Sequence, residues 1–206
     1  VLVTQPPGYR LAVAPGDLDA ARFVALAEEG HQLLAAERPA QAVRVLRKAL
    51  GLWREPAFAD MADEPFAQPE RQRLEELRLV VLEDRLAAEL AVGGHAAAAA
   101  ELRELVGRYP FRERLHGLLM LALYRSGRQA EALQAFQAAR RVLGEELGVD
   151  PSPWLRQLEA DILRQASALE WTALPGQPPP VEAVEPPVAA PAVAPLPAAG
   201  PQLVGR

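Results

Sequence analysis

Residues 109–163, YPFRERLHGLLMLALYRSGRQAEALQAFQAARRVLGEELGVDPSPWLRQLEADIL, decide the fold. Leu115, Leu118, Leu119 and Ala122 share one face of a helix that ends at the turn Ser126-Gly127-Arg128. Ala132, Phe136, Ala139 and Leu143 share one face of the next. Gly148 stops that second helix, because glycine takes the left-handed conformation that closes a helix without a Cβ penalty. Ser152 and Pro153 then read as the N-cap and first-turn proline of a third helix. Trp154, Leu155, Leu158, Ile162 and Leu163 supply its apolar side, which suits a lid on the last hairpin of a stack.

Upstream, Ala98, Leu102 and Leu105 stand 34 positions before Ala132, Phe136 and Ala139. That spacing is the tetratricopeptide period, in which each helical hairpin buries its apolar face only by stacking on a neighbour. The helix pair before the Tyr109–Leu163 run is predicted at about Glu70–Val92, closed by Gly93-Gly94, and His95–Arg108. A first pair follows from Asp17, as N-cap, to about Ala36, with Leu18, Phe23, Leu26, Leu33 and Leu34 apolar, and from Pro39 to Leu50. Ala42, Leu46 and Ala49 give its second helix the small-large-small pattern, and Gly30 suits a close helix crossing. Between the pairs, Trp53–Pro69 carries prolines and scattered acids and reads as an insertion. The expected architecture is all-α: a tetratricopeptide-like stack of about three hairpins plus a capping helix. A short β hairpin around Pro6-Pro7-Gly8 precedes it, and a disordered proline- and alanine-rich tail follows.

Composition narrows the function classes. Half of the 20 prolines lie beyond Thr172, so the foldable part is roughly 1–170. A net charge of −5 argues against a strongly basic nucleic-acid surface. The absence of cysteine removes disulfides and thiolate zinc sites. No apolar run reaches the roughly 20 residues of a membrane span, and VLVTQPPGYR is not built like a signal peptide; the expected location is the cytoplasm. One lysine beside 21 arginines, with no asparagine, fits the coding bias of a GC-rich bacterial genome.

Leu52-Trp53-Arg54 with Pro56-Ala57, ALYRSGRQAEAL at Ala122–Leu133, and EELGVDPSPWLRQL at Glu145–Leu158 together resemble the bacterial transcriptional activator domain. This domain occurs in regulators of the Streptomyces antibiotic regulatory protein type, including the large AfsR-like ones. Glu55 stands where that pattern commonly has glycine, and Phe58 where it has leucine. GYRL at Gly8–Leu11 is similar to the closing strand of the winged helix that precedes the domain in this family. Leu203-Val204-Gly205-Arg206 resembles the opening of the nucleotide-binding domain of the large members. The resemblance thus implies a remnant of an upstream winged-helix hairpin at 1–13, the activator domain at 14–170, and a linker at 171–206 within a longer regulator. It implies DNA contact only through the winged helix, and as partners that domain, RNA polymerase subunits and a second protomer.

The residues of chemistry are sparse. His31, His95 and His116 form no i, i+3 or i+4 pair, and Ser126, Ser152 and Ser167 read as turn, cap and helix end. Asp60, Asp63 and Glu64 lack the alternation of a calcium loop and read as solvated. No phosphate-loop motif occurs, so no cofactor is expected. Arg71, Arg73, Arg78, Arg140 and Arg141, interleaved with Glu75, Glu76, Glu83 and Asp84, read as helix-surface pairs. Trp53, Trp154 and Trp171 read as core and cap. What remains is geometric: the first helices of the hairpins line a concave face, and counting back from the repeat alanines places His31, Glu83, Arg114, Tyr124 and Arg125 toward it as candidate protein-binding residues. The reading is a non-enzymatic effector and oligomerisation domain of a transcription activator. The alternative is a generic tetratricopeptide adaptor for peptide segments. A helical enzyme has no supporting constellation.

Overall fold

The computed structural model describes residues 2–11, 13–61 and 63–172; the linker beyond residue 172 and the LVGR motif lie outside them. Strands β1 (Leu2–Gln5) and β2 (Gly8–Leu11) pair antiparallel, with Leu2 opposite Leu11 and Gln5 opposite Gly8. Seven α-helices follow among the described residues: α1 (Asp19–Ala35), α2 (Pro39–Leu50), α3 (Gln68–Ala91), α4 (His95–Arg108), α5 (Glu113–Arg125), α6 (Gln129–Val142) and α7 (Pro153–Leu163). Consecutive members of the pairs α1/α2, α3/α4 and α5/α6 form the hairpins, and α7 closes the stack against α5 and α6. No described helix is long and apolar enough to cross a membrane.

Local chemistry explains most boundaries. Pro39 opens α2 at its first residue, and Ser152 caps α7, its hydroxyl accepting from the Leu155 amide at 3.3 Å. The Ser152 amide donates in turn to Glu113 Oε2 at 2.8 Å, tying α7 to the start of α5. Gly127 and Gly148 adopt φ of +75° and +67° at the ends where the sequence stops a helix. Before Gly148 the chain makes a wider π turn over Leu143–Leu147, which no residue pattern announces. Asp17 does not cap α1; it sits in a 3-10 turn (Pro15–Asp17), and α1 begins at Asp19 with Leu18 exposed at the N-cap. The likeness of Asp17 to a cap lost to a short turn that spends those residues first.

The apolar residues divide into two clusters that meet on α3. Phe23, Ala27, Ala42, Val43, Leu46 and Ala49 pack with Leu74, Val81 and Ala88. Leu79, Leu86 and Leu90 pack instead with Ala98, Leu102, Leu115, Leu123, Ala132, Phe136, Leu155 and Ile162. On α3 each set repeats every seven residues (74, 81, 88 and 79, 86), and the offset of five between them turns the two stripes about 140° apart. One 24-residue helix therefore serves as wall to both cores. On the capping helix only Leu155 and Ile162 are buried; Trp154 and Leu163 are exposed, so the predicted five-residue apolar side is narrower.

Gly30 is where α1 and α2 cross most tightly. A Cβ there would overlap Leu46 Cδ2 and lie 2.5 Å from its Cγ, and Leu46 is fully buried with nowhere to move. Gly30→Ala gains up to about 1 kcal/mol of helix propensity but overpacks the crossing, which costs about 1–3 kcal/mol. The expected outcome in urea unfolding is net destabilisation. A Cβ at Gly117 would meet Trp154, its Cζ3 at 2.7 Å, but that indole is 53% exposed and can swing away. Gly117→Ala should therefore cost clearly less than Gly30→Ala in the same experiment.

Candidate functional site

Helix α3 carries charge where its neighbours carry leucine. Glu83 and Asp84 are each 3% exposed, and Arg85 and Glu89 each 8%. Charges so deep are tolerable only when paired. Asp84 Oδ2 lies 3.1 Å from His31 Nδ1 of α1, and its Oδ1 accepts from Arg114 Nη2 of α5. Arg114 Nη1 also donates to Glu83 Oε2 at 3.3 Å. Arg112 joins from the start of α5: its Nη1 is 2.7 Å from Glu76 Oε1, and its Nε is 3.4 Å from Glu83 Oε1, an ion pair without hydrogen-bond alignment. A quarter-turn around α3, Arg85 Nη1 donates to Glu89 Oε1 at 2.8 Å and its Nη2 to Glu101 of α4. Arg47 of α2 donates to the same Glu89 oxygen at 2.9 Å. This charged spine ties α3 to α1, α2, α4 and α5. Burial raises the Glu83 carboxyl above its usual range, against the opposing pull of Arg112 and Arg114.

Of the five residues placed toward the concave face, the structure brings three together: His31, Glu83 and Arg114, on the first helices of the three hairpins. Tyr124 is half-buried and packs on the larger apolar cluster. Arg125 lies at the far end of α5, where its Nε donates to the Leu169 carbonyl at 2.9 Å. There the chain after α7 folds back: Trp171 Nε1 donates to the Ala91 carbonyl at 3.0 Å, and its ring meets His95 edge-on with centroids 5.4 Å apart. Trp171, numbered with the linker by the sequence reading, thus docks on the α3–α4 corner. Both nitrogens of His95 are buried without hydrogen-bond partners. Burial, and then Arg125, lower its pKa to about 4.

The insertion between α2 and α3 borders an open surface pocket of about 610 Å³. Phe23 and Leu74 are its buried apolar residues, Leu18 and Phe58 its exposed ones, and Trp53 forms one wall. Asp60, Asp63 and Glu64 on the same insertion are exposed.

Residues 18–163 match the bacterial transcriptional activator domain. The chain belongs to that family. Within it, the chain is 47% identical to the regulatory protein AfsR of Streptomyces griseus over 163 residues, which are 79% of this chain and 17% of AfsR. It is 43% identical to the transcriptional regulator RedD of Streptomyces coelicolor over 163 residues, 79% of this chain and 46% of RedD. The solved structure of Mycobacterium tuberculosis EmbR, in complex with a low-affinity phosphopeptide, superposes with a TM-score of 0.76 at 41% identity, covering 80% of this chain and 44% of EmbR. The chain spans less than half the length of each of these relatives. As in the EmbR structure that it superposes on, the matched domain here is a helical stack.

In this activator domain the reading of Glu83 and Asp84 as helix-surface pairs is corrected: both are buried and bridge helices, whereas Glu75 and Arg78 do pair locally at 3.7 Å. Arg112, Asp84, Glu89 and Arg47 were missed as spine residues. Their only signal is position, since Glu83-Asp84-Arg85 sits between Val80-Val81-Leu82 and Leu86 and cannot all face water.

Asp84→Asn removes the anion beside His31 and one of the two that Arg114 holds, the other being Glu83. Because Arg114 and His31 are 43% and 68% exposed along their side chains, the loss is about 1–3 kcal/mol, the cost of leaving a hydrogen-bonded charge pair incomplete. His31, 68% exposed along its side chain, should contribute about 1 kcal/mol or less. Urea unfolding of Asp84→Asn and His31→Ala is expected to show Asp84→Asn as the more destabilised of the two, by about 1 kcal/mol or more.

His95 makes a pH prediction. Its folded pKa of about 4 lies below the unfolded value near 6.5, so the neutral ring favours the fold above pH 6.5. That contribution is lost as pH falls from about 6.5 to 4, and amounts to as much as about 3 kcal/mol. The stability difference between the wild type and His95→Leu is therefore expected to shift in favour of the variant across this window and to stay flat from pH 7 to 8.

Proposed function

We propose that this domain is the effector and oligomerisation element of a bacterial transcriptional activator. It acts in the cytoplasm through protein contacts: with an upstream winged-helix DNA-binding domain of the same protein, with a second protomer, and with RNA polymerase subunits. DNA is reached only through the winged helix, and the domain performs no catalysis of its own. The observation that carries the reading is the asymmetry of coverage. Four-fifths of this chain matches transcription regulators that are more than twice as long as the matched region, so it corresponds to one part of such a regulator. The spine supports a scaffold role, because a stack braced by buried ion pairs presents its faces without reordering and so binds at lower entropic cost.

Deleting residues 18–163 from the full regulator, with promoter binding and transcription both measured, tests the proposal. Loss of activation with DNA binding retained or weakened is expected. Undiminished activation would reject the effector role.

A further inference from the structure

The cavity under the insertion is built rather than left over. It is an open pocket of about 610 Å³, a volume in the range of ligand sites. Its wall is held on both sides: Trp53 meets Phe23 edge-on at 5.2 Å, and Arg78 lies 4.6 Å over the indole. The Ala57 amide donates to Glu75 Oε1 at 3.2 Å, fastening the loop to α3. Phe58 takes φ of +55°, a left-handed conformation that a bulky side chain rarely adopts, and lines the cavity while remaining exposed. Leu18 is likewise exposed on the lining.

The charge of the lining is one-sided. Asp19, Glu55, Asp60 and Glu70 face Arg54 alone. Glu70 is already paired with Arg73, at 2.7 Å, whereas Asp19, Glu55 and Asp60 have no ion-pair partner among the described residues. An apolar floor with exposed apolar residues and unpaired carboxylates at its edge matches one kind of occupant, an apolar side chain flanked by cations.

We propose that this cavity is a docking site for a segment of a partner protein in which a leucine or aromatic anchor stands beside arginine or lysine. The anchor fills the space over Phe23 and Leu74, and the flanking cations meet Asp19, Glu55 and Asp60. This rests on the reading of the domain as a protein-contact module and names one contact surface for it.

The test uses the 206-residue chain and two blocked tetrapeptides, Arg-Leu-Phe-Arg and Glu-Leu-Phe-Glu, titrated by amide NMR. The basic peptide is expected to shift amides of residues 18–23 and 53–60 saturably, and to bind about fivefold or more tightly than the acidic one. Glu55→Gln with Asp60→Asn, both exposed, should reduce that preference to about twofold or less while leaving the amide spectrum of the free protein unchanged beyond the substituted loop. No shift with either peptide, shifts mapped elsewhere, or equal affinity for both would overturn the proposal. Since this readout does not involve a promoter, its failure leaves the activation experiment standing, and the reverse holds as well.

Discussion

The stack depends on α3 burying Glu83, Asp84, Arg85 and Glu89 in the C-terminal part of a helix that also supplies apolar residues to two cores. A buried carboxylate without a partner would cost more than the whole stability margin of an average domain can absorb comfortably. The partners come from α1, α2, α4 and α5, so all four helices must take one register for the charges to be met. Apolar burial supplies most of the driving force, but it is tolerant of sliding. The ion pairs, being directional and short, are not.

This division of labour explains which parts of the architecture were legible in the sequence. The hairpins were, because Ala98/Leu102 and Ala132/Phe136 repeat at a fixed period and a period is a local signal. Gly30 was legible too, since a glycine twelve positions ahead of a small-large-small pattern has a steric reason to be there, and Leu46 occupies the space its missing Cβ leaves. Glu83 and Asp84 were misread as part of a solvated charge pattern. Nothing local distinguishes a carboxylate that faces Arg114 across a helix crossing from one that faces water; the difference lies 30 residues away. The same holds for Trp171, whose partner Ala91 is 80 residues distant, and for the cavity, whose walls come from α1, the insertion and α3.

The repeated alanines and leucines secure a stack like that of EmbR. Outside the stacked faces lie an exposed Phe58 held in a left-handed backbone conformation, insertion acids without an ion-pair partner among the described residues, and the chain after α7, whose Trp171 packs on His95. In a scaffold of repeats, stability and recognition separate in this way because the stacked faces are used up by packing, leaving insertions and ends free to vary.

The claim that the spine welds the hairpins into one unit is tested most directly by native-state hydrogen exchange followed by mass spectrometry. If it holds, amides of α1, α2 and residues 79–90 of α3 exchange through a single opening whose free energy matches global unfolding, together with α5. If α1 and α2 exchange through a separate opening of clearly lower free energy while α3 and α5 stay protected, the two cores are independent and the account is wrong.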